Sequence, residues 1–281
     1  MGQPMVEPTA LPLLMGVVNV TPDSFSDGGL WATPEAAVVH GRDLLADGAD
    51  LLDIGGESTR PGATRPLVEE ELGRVVPVIR ELAAEGAVVS VDTMRAEVAE
   101  AALAAGASIV NDVSGGLADP RILDVVADSD ATYVCMHWRA HSVHMNEHAV
   151  YDAPGGVVAA VRAELLERVD ALRAAGLPDE RIVLDPGLGF AKRSEHNWAL
   201  LAGLADLQAL GFRLLVGASR KSFLGTLLAD PSGEPRPVDG REDATTALTV
   251  LVAQQHVWAL RVHDVRASRD ALLTLARWQE G

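Results

Sequence analysis

The sequence predicts an α/β protein of the (β/α)8 TIM-barrel class, folded as a single domain, and three observations lead there. Short apolar runs alternate roughly eight times with longer Ala- and Leu-rich stretches of helical period, the count that closes such a barrel. Nearly every run ends in a polar residue and empties into a loop, as parallel α/β sheets do where they present chemistry. Hydrophobic residues make up 48% of the chain but aromatic ones only 4%. Ala, Val and Leu must therefore fill the core, which suits helices packed closely on a parallel sheet.

The first run, residues 13–20, carries Asn19 near its end and precedes a turn-rich segment from Thr21 to Gly29. Residues 1–12 read as a flexible extension, and the domain as 13–281. Thr33, Pro34 and Glu35 open a helix that ends near Gly48, with a capping side chain, a proline in the first turn and an early acid. Residues 51–54 form the second strand and run directly into Gly55, Gly56, Glu57, Ser58, Thr59, Arg60, Pro61 and Gly62. A helix follows over 68–84. Strands are expected at 88–91, 109–110, 132–136, 182–184, 214–216 and 260–262, with helical segments such as 157–175 and 243–255 between them. The Pro- and Gly-rich segment 230–240 reads as a surface loop, because no linker divides the chain.

Composition bounds the function. The formal net charge of −17 argues against nucleic acid, whose phosphates are bound by basic surfaces. No secretory signal is recognisable at the amino terminus, and no apolar run approaches the roughly 18 residues of a membrane helix. A soluble, cytoplasmic protein that does not engage membranes is the expectation. With one cysteine, Cys135, an internal disulfide is impossible, and its apolar setting predicts an inert buried thiol.

The strand ends Asn19, Asp53, Asp92, Asn111, His137, Asp185, Ser219 and His263 should converge on one mouth, since all strands of a parallel barrel point the same way. Asp92, Asn111 and Asp185 offer acceptors and amide groups to the edge of a flat nitrogen heterocycle. Arg60, Lys221, Arg261 and His263, with the hydroxyls of Ser24 and Thr59, make an anion site suited to phosphate or pyrophosphate. No Ser/His or Cys/His nucleophile stands out, so the expected chemistry is positioning and leaving-group stabilisation. His137, His141, His144 and His148 have spacing reminiscent of zinc, but no carboxylate or cysteine completes a recognised pattern. Trp31 and Trp138 follow strand ends, where either would cover a bound ring.

Several of these stretches together resemble the dihydropteroate synthase family: residues 18–29, 53–62, 90–93, 111–116, 185–190, 217–222 and 261–265. The resemblance implies a transferase of folate biosynthesis that joins 4-aminobenzoate to (7,8-dihydropterin-6-yl)methyl diphosphate, releasing pyrophosphate. It implies Mg2+ held on the Asn19 side. Asp92, Asn111, Asp185 and Lys221 correspond to the pterin pocket, with Met136 as its apolar wall. Thr59, Arg261 and His263 correspond to the diphosphate set, while Pro61, Phe190 and Ser222 lie on the aminobenzoate side. Phe25 and Pro61 match a sulfonamide-sensitive site. A homodimer built from the last helices is implied as well.

One departure stands out: a Gly/Pro-containing loop is expected after His137, and the chain has Trp138, Arg139, Ala140 and His141 instead. Two rivals share the pterin pocket. A pterin-dependent methyltransferase has no use for Arg60, Arg261 and His263 as a diphosphate site, and a catalytically silent pterin binder has no need of Asn19 and both loops.

Overall fold

Eight parallel strands pair in sequence order and close into a barrel, β1 (Leu13–Asn19), β2 (Leu51–Gly55), β3 (Val89–Asp92), β4 (Ile109–Asp112), β5 (Thr132–Met136), β6 (Ile182–Asp185), β7 (Arg213–Val216) and β8 (Ala259–Val262). The computed structural model describes residues 11–21, 33–57, 65–140 and 147–281. Closure is made by β8 pairing with β1, with Leu13 opposite Ala259 and Gly16 opposite Val262. Around the barrel lie α1 (Pro34–Ala46), α2 (Val68–Ala84), α3 (Ala96–Ala104), α4 (Arg121–Ala127), α5 (Gly156–Ala174), α6 (Ser194–Ala202), α7 (Leu204–Gln208), α8 (Ser222–Leu227), α9 (Glu242–Ala253) and α10 (Val265–Glu280).

Local chemistry sets the helix starts. Thr33 Oγ1 accepts the Ala36 N–H, and Pro34 occupies the first helical position of α1. At α2 the Glu70 carboxylate reaches back to the Leu67 N–H at 3.0 Å, in a first turn that also holds Glu69 and Glu71. Asp264 caps α10 by accepting the Ala267 N–H at 3.0 Å.

Strand alternation then sorts the side chains. Met15, Leu51, Ile109, Val134, Val183, Leu215 and Ala259 point inward and fill the lower barrel. Their neighbours one residue on, such as Leu52, Val110, Cys135 and Leu184, point outward into the core shared with the helices. Counting two residues up from the inner layer predicts what lines the mouth: Asp53, Asn111, Met136, Asp185 and Arg261. The same parity sends Asp112 and His137 outward, and both are buried.

Segment 230–240 lies mostly on the surface before α9, as its Pro and Gly content suggests. Leu11 already packs against the core, so β1 is anchored two residues before it begins. Among the described residues, no helix is long and apolar enough to cross a membrane.

Candidate active site

The floor of the mouth is an ionic lattice. Asp53, fully buried on β2, accepts Asn111 Nδ2 at 2.9 Å and Arg261 Nε at 2.7 Å. Arg261 Nη2 donates at 2.9 Å to Asp92 Oδ2, so one guanidinium from β8 spans carboxylates from β2 and β3. Neither bond uses Nη1. Buried carboxylates are tolerated only when paired in this way. Burial raises the Asp92 pKa, the Arg261 charge opposes the rise, and the nearby Asp53 charge adds to it.

Beside this lattice, Asp185 closes β6 and leads into a tight loop. Its Oδ1 accepts the Gly187 N–H at 2.7 Å. Burial pushes its pKa up to about 6, against the pull of that N–H and of the Lys221 charge. Lys221, just past β7, places Nζ 4.3 Å from the centre of the Phe190 ring. Burial draws its pKa down to about 8, with Arg261 lowering it further while Asp185 and Asp92 work against the fall. An apolar wall stands next to these groups: Met94, Val113 and Met136 form one buried cluster, with Trp138 and Phe190 packed on it.

On the side facing β8, Ser219 Oγ lies 2.9 Å from His263 Nδ1 and also accepts the His263 N–H at 3.3 Å. Asn19 ends β1 across from Gly55, where a Cβ would sit 3.8 Å from its side-chain oxygen and 3.5 Å from Asp92. Asn19, Asp92, Asn111, Met136, Asp185, Lys221, Arg261 and His263 thus occupy the same end of the barrel. Ser222 is exposed and opens α8, adjacent to Lys221. Ser24, Phe25, Thr59, Arg60 and Pro61, together with Trp31, His141 and His144, lie outside the described residues.

His137 does not belong to the mouth, contrary to the sequence expectation. Its position is odd where the inward residues of β5 are even, so the ring turns outward, 1% exposed, and meets Glu164 of α5 at 2.9 Å. Burial and the Lys192 charge lower its pKa to about 4, which keeps the imidazole neutral. Among the described residues, no cluster of three His, Cys, Asp or Glu is arranged for a metal ion. Cys135 is buried and burial raises its thiol pKa, as an inert thiol requires.

The departure after His137 is filled by an arginine clamp. Arg139 grips Glu164 with Nε at 2.9 Å and Nη2 at 2.5 Å, donates to the carbonyls of His148 and Val150, and stacks 4.0 Å from the centre of the Tyr151 ring. Sequence reasoning placed Asp53 at the mouth without a partner and did not single out Met94 or Lys192. Strand parity flags Asp53, whereas Lys192 lies in a loop with no period to mark it.

Comparison with known proteins decides the family. The family model described as "Pterin binding enzyme" matches residues 15–263. The chain belongs to the pterin-binding enzyme family. Within the pterin-binding enzymes it is 54% identical to the dihydropteroate synthase of Mycobacterium leprae over 94% of this chain and 93% of that protein. Against the Bacillus subtilis dihydropteroate synthase the identity is 40%, over 90% and 84%. The Xanthomonas albilineans dihydropteroate synthase with 4-aminobenzoic acid superposes with a TM-score of 0.86 at 47% identity, covering 97% of this chain and 95% of that one. The Yersinia pestis dihydropteroate synthase with a sulfonamide drug gives 0.89 at 37%, covering 96% and 95%. As a pterin-binding enzyme, the chain has the function of a dihydropteroate synthase, a transferase of folate synthesis.

Proposed function

We propose that the inward ring of Asp92, Asn111, Asp185, Lys221, Arg261 and His263 condenses (7,8-dihydropterin-6-yl)methyl diphosphate with 4-aminobenzoate to give 7,8-dihydropteroate and pyrophosphate. The observation that carries this reading is the juxtaposition at one mouth of acceptors from β3, β4 and β6 with cations from β8 and the segment after β7. Asp185 and Asn111 hold the N–H edge of the pterin, Lys221 donates to its acceptor edge, and Met136 packs on its face. Arg261, through Nη1, and His263 take the diphosphate, joined by Thr59, Arg60 and Ser24 from the segments outside the described residues.

In the reaction the methylene–oxygen bond breaks and its electron pair leaves on the diphosphate. The dihydropterin ring spreads the resulting positive charge, and Asp92 and Asp185 lower its energy by their own negative charge. The aminobenzoate nitrogen then supplies the electron pair of the new carbon–nitrogen bond, and its proton passes to solvent. An aromatic amine attacking such a cation needs no strong base, so the pair of Ser219 Oγ and His263 Nδ1, 2.9 Å apart, forms no covalent intermediate in this scheme. Phe190 and Ser222 border the amine's path, and the resemblance assigns Phe25 and Pro61 to the same side.

Mg2+ fits the donor set in the way that small hard cations do, with one amide oxygen from Asn19 and the remaining positions left to water and diphosphate oxygens. When bound, it would neutralise charge on the departing diphosphate. The protein assembles as a homodimer through α9 and α10, whose Leu251, Leu273 and Trp278 are 57%, 53% and 82% exposed.

Pyrophosphate release by the purified protein tests the reading. Release is expected only with pterin diphosphate, Mg2+ and 4-aminobenzoate together, and is suppressed by EDTA and, competitively with 4-aminobenzoate, by sulfamethoxazole. Tight pterin binding with no coupled release would refute it.

A further inference from the structure

The chain holds only two lysines among its 23 Lys and Arg residues, Lys192 and Lys221, and both flank a single loop. That loop runs from Asp185 to Lys192 between the two ammonium groups. At Gly189, φ +80°, an added Cβ would lie 3.1 Å from Lys221 Cδ; at Gly187, φ +67°, it would lie 3.4 Å from Lys192 Nζ. Phe190 meets both lysines, its ring facing Lys221 and its carbonyl accepting Lys192 Nζ at 3.0 Å. Everywhere else the chain uses arginine for its cations, and here it twice uses the ammonium, a head compact enough for the space beside the loop but costly to strip of water.

We propose that Lys192 is a positioning residue for the reaction described above: from behind the loop its ammonium holds Asp185 in its pterin-facing place and keeps that carboxylate ionised. Lys192 is 7% exposed, and an enclosed ammonium needs compensation. Its hydrogen-bond acceptors, however, are neutral. Nζ donates to His137 Nδ1 at 2.9 Å and to the Phe190 carbonyl. Because Nδ1 accepts, the imidazole proton sits on Nε2 and is donated to Glu164 Oε2, which Arg139 clamps from the other side. This row fixes where Lys192 points, and its charge is balanced across the loop by Asp185, whose Oδ1 accepts the N–H of Gly187, the residue whose added Cβ would lie 3.4 Å from Lys192 Nζ. Burial lowers the Lys192 pKa to about 7, so the pair depends on that balance. The groups facing Lys192 are Asp185 from β6, His137 and Arg139 after β5, Glu164 from α5, Lys221 after β7 and His196 from α6.

The inference rests on the pterin reading, and its test separates the two. For wild type, Lys192→Met, Lys192→Gln and Lys192→Arg, kcat and both KM values are measured across pH, with melting curves to establish folding. Loss of the charge in Lys192→Met and Lys192→Gln is expected to raise the KM for pterin diphosphate about tenfold and move the acid limb of kcat/KM up by about one pH unit, since a unit of pKa is a factor of ten. The KM for 4-aminobenzoate stays put, and Lys192→Arg restores the acid limb. Folded Met and Gln variants with unchanged pterin KM and acid limb would overturn the proposal, leaving Lys192 a structural cation. If the variants do not fold, wild-type protein labelled with lysine 15Nζ answers directly, because it has two resonances and Lys221→Arg assigns them. Addition of pterin-6-carboxylate is expected to shift both; a shift confined to Lys221 overturns the proposal. Absence of pyrophosphate release from wild type would refute the reaction, while the lysine resonances still report on Lys192.

Discussion

Arg261 does what no single carboxylate–ammonium pair can do, because its planar fork donates along two directions to Asp53 and Asp92. Removing it strands a fully buried carboxylate. Arg261→Met is expected to cost about 3 kcal/mol in urea denaturation and to abolish turnover. Arg261→Lys recovers little, since an ammonium cannot span both acceptors. The titrating groups set the pH dependence. Asp185, raised to about 6, must be ionised to accept pterin N–H groups, so kcat/KM falls as pH drops through about 6. Lys221, lowered to about 8, must be protonated to donate, so kcat/KM falls again above about 8. A bell with those limbs is the expected profile for pterin diphosphate, and a flat profile from roughly pH 5 to 9, about one unit beyond each limb, would contradict the assignment.

At the scale of elements, the loop after β6 is the part least tolerant of change. An alanine Cβ at Gly187 would sit 2.3 Å from the His137 carbonyl oxygen, at φ +67°, so both strain and backbone collision oppose it. Gly187→Ala is expected to lower stability by on the order of 3 kcal/mol and to eliminate activity. Gly211→Ala, also at positive φ but in open space, isolates the conformational part, about 1–2 kcal/mol, with activity retained. Differential scanning calorimetry on the two variants measures the difference. The start of α1 was legible in sequence for a related local reason, since Thr33 acts within a few residues of itself; Glu70 and Asp264 work over the same short range at α2 and α10. The outward turn of His137 was legible only once its strand had a register, because a shift of one residue exchanges the faces.

Across the whole molecule, closure brings together groups 208 positions apart in sequence, as Asp53 and Arg261 are. The exposed apolar residues of α9 and α10 belong to the same scale. Trp278→Ser combined with Leu273→Ser is expected to shift a micromolar solution from dimer to monomer in sedimentation velocity, with the barrel's melting temperature nearly unchanged; a monomeric wild type would remove the dimer from the reading.

The amino-acid order by itself determined the alternation of strands and helices, the direction of the strands and which residue types end them. Those features follow from local periodicity, capping and the burial of apolar runs, all of which act over a few residues. Tertiary structure alone decided that Asp53 would be the buried hub of the lattice, that Arg139 would clamp Glu164, and that Lys192 would stand opposite Lys221 across one loop. Each of these is a contact between elements distant along the chain, and its energy depends on a geometry that exists only after the barrel has closed.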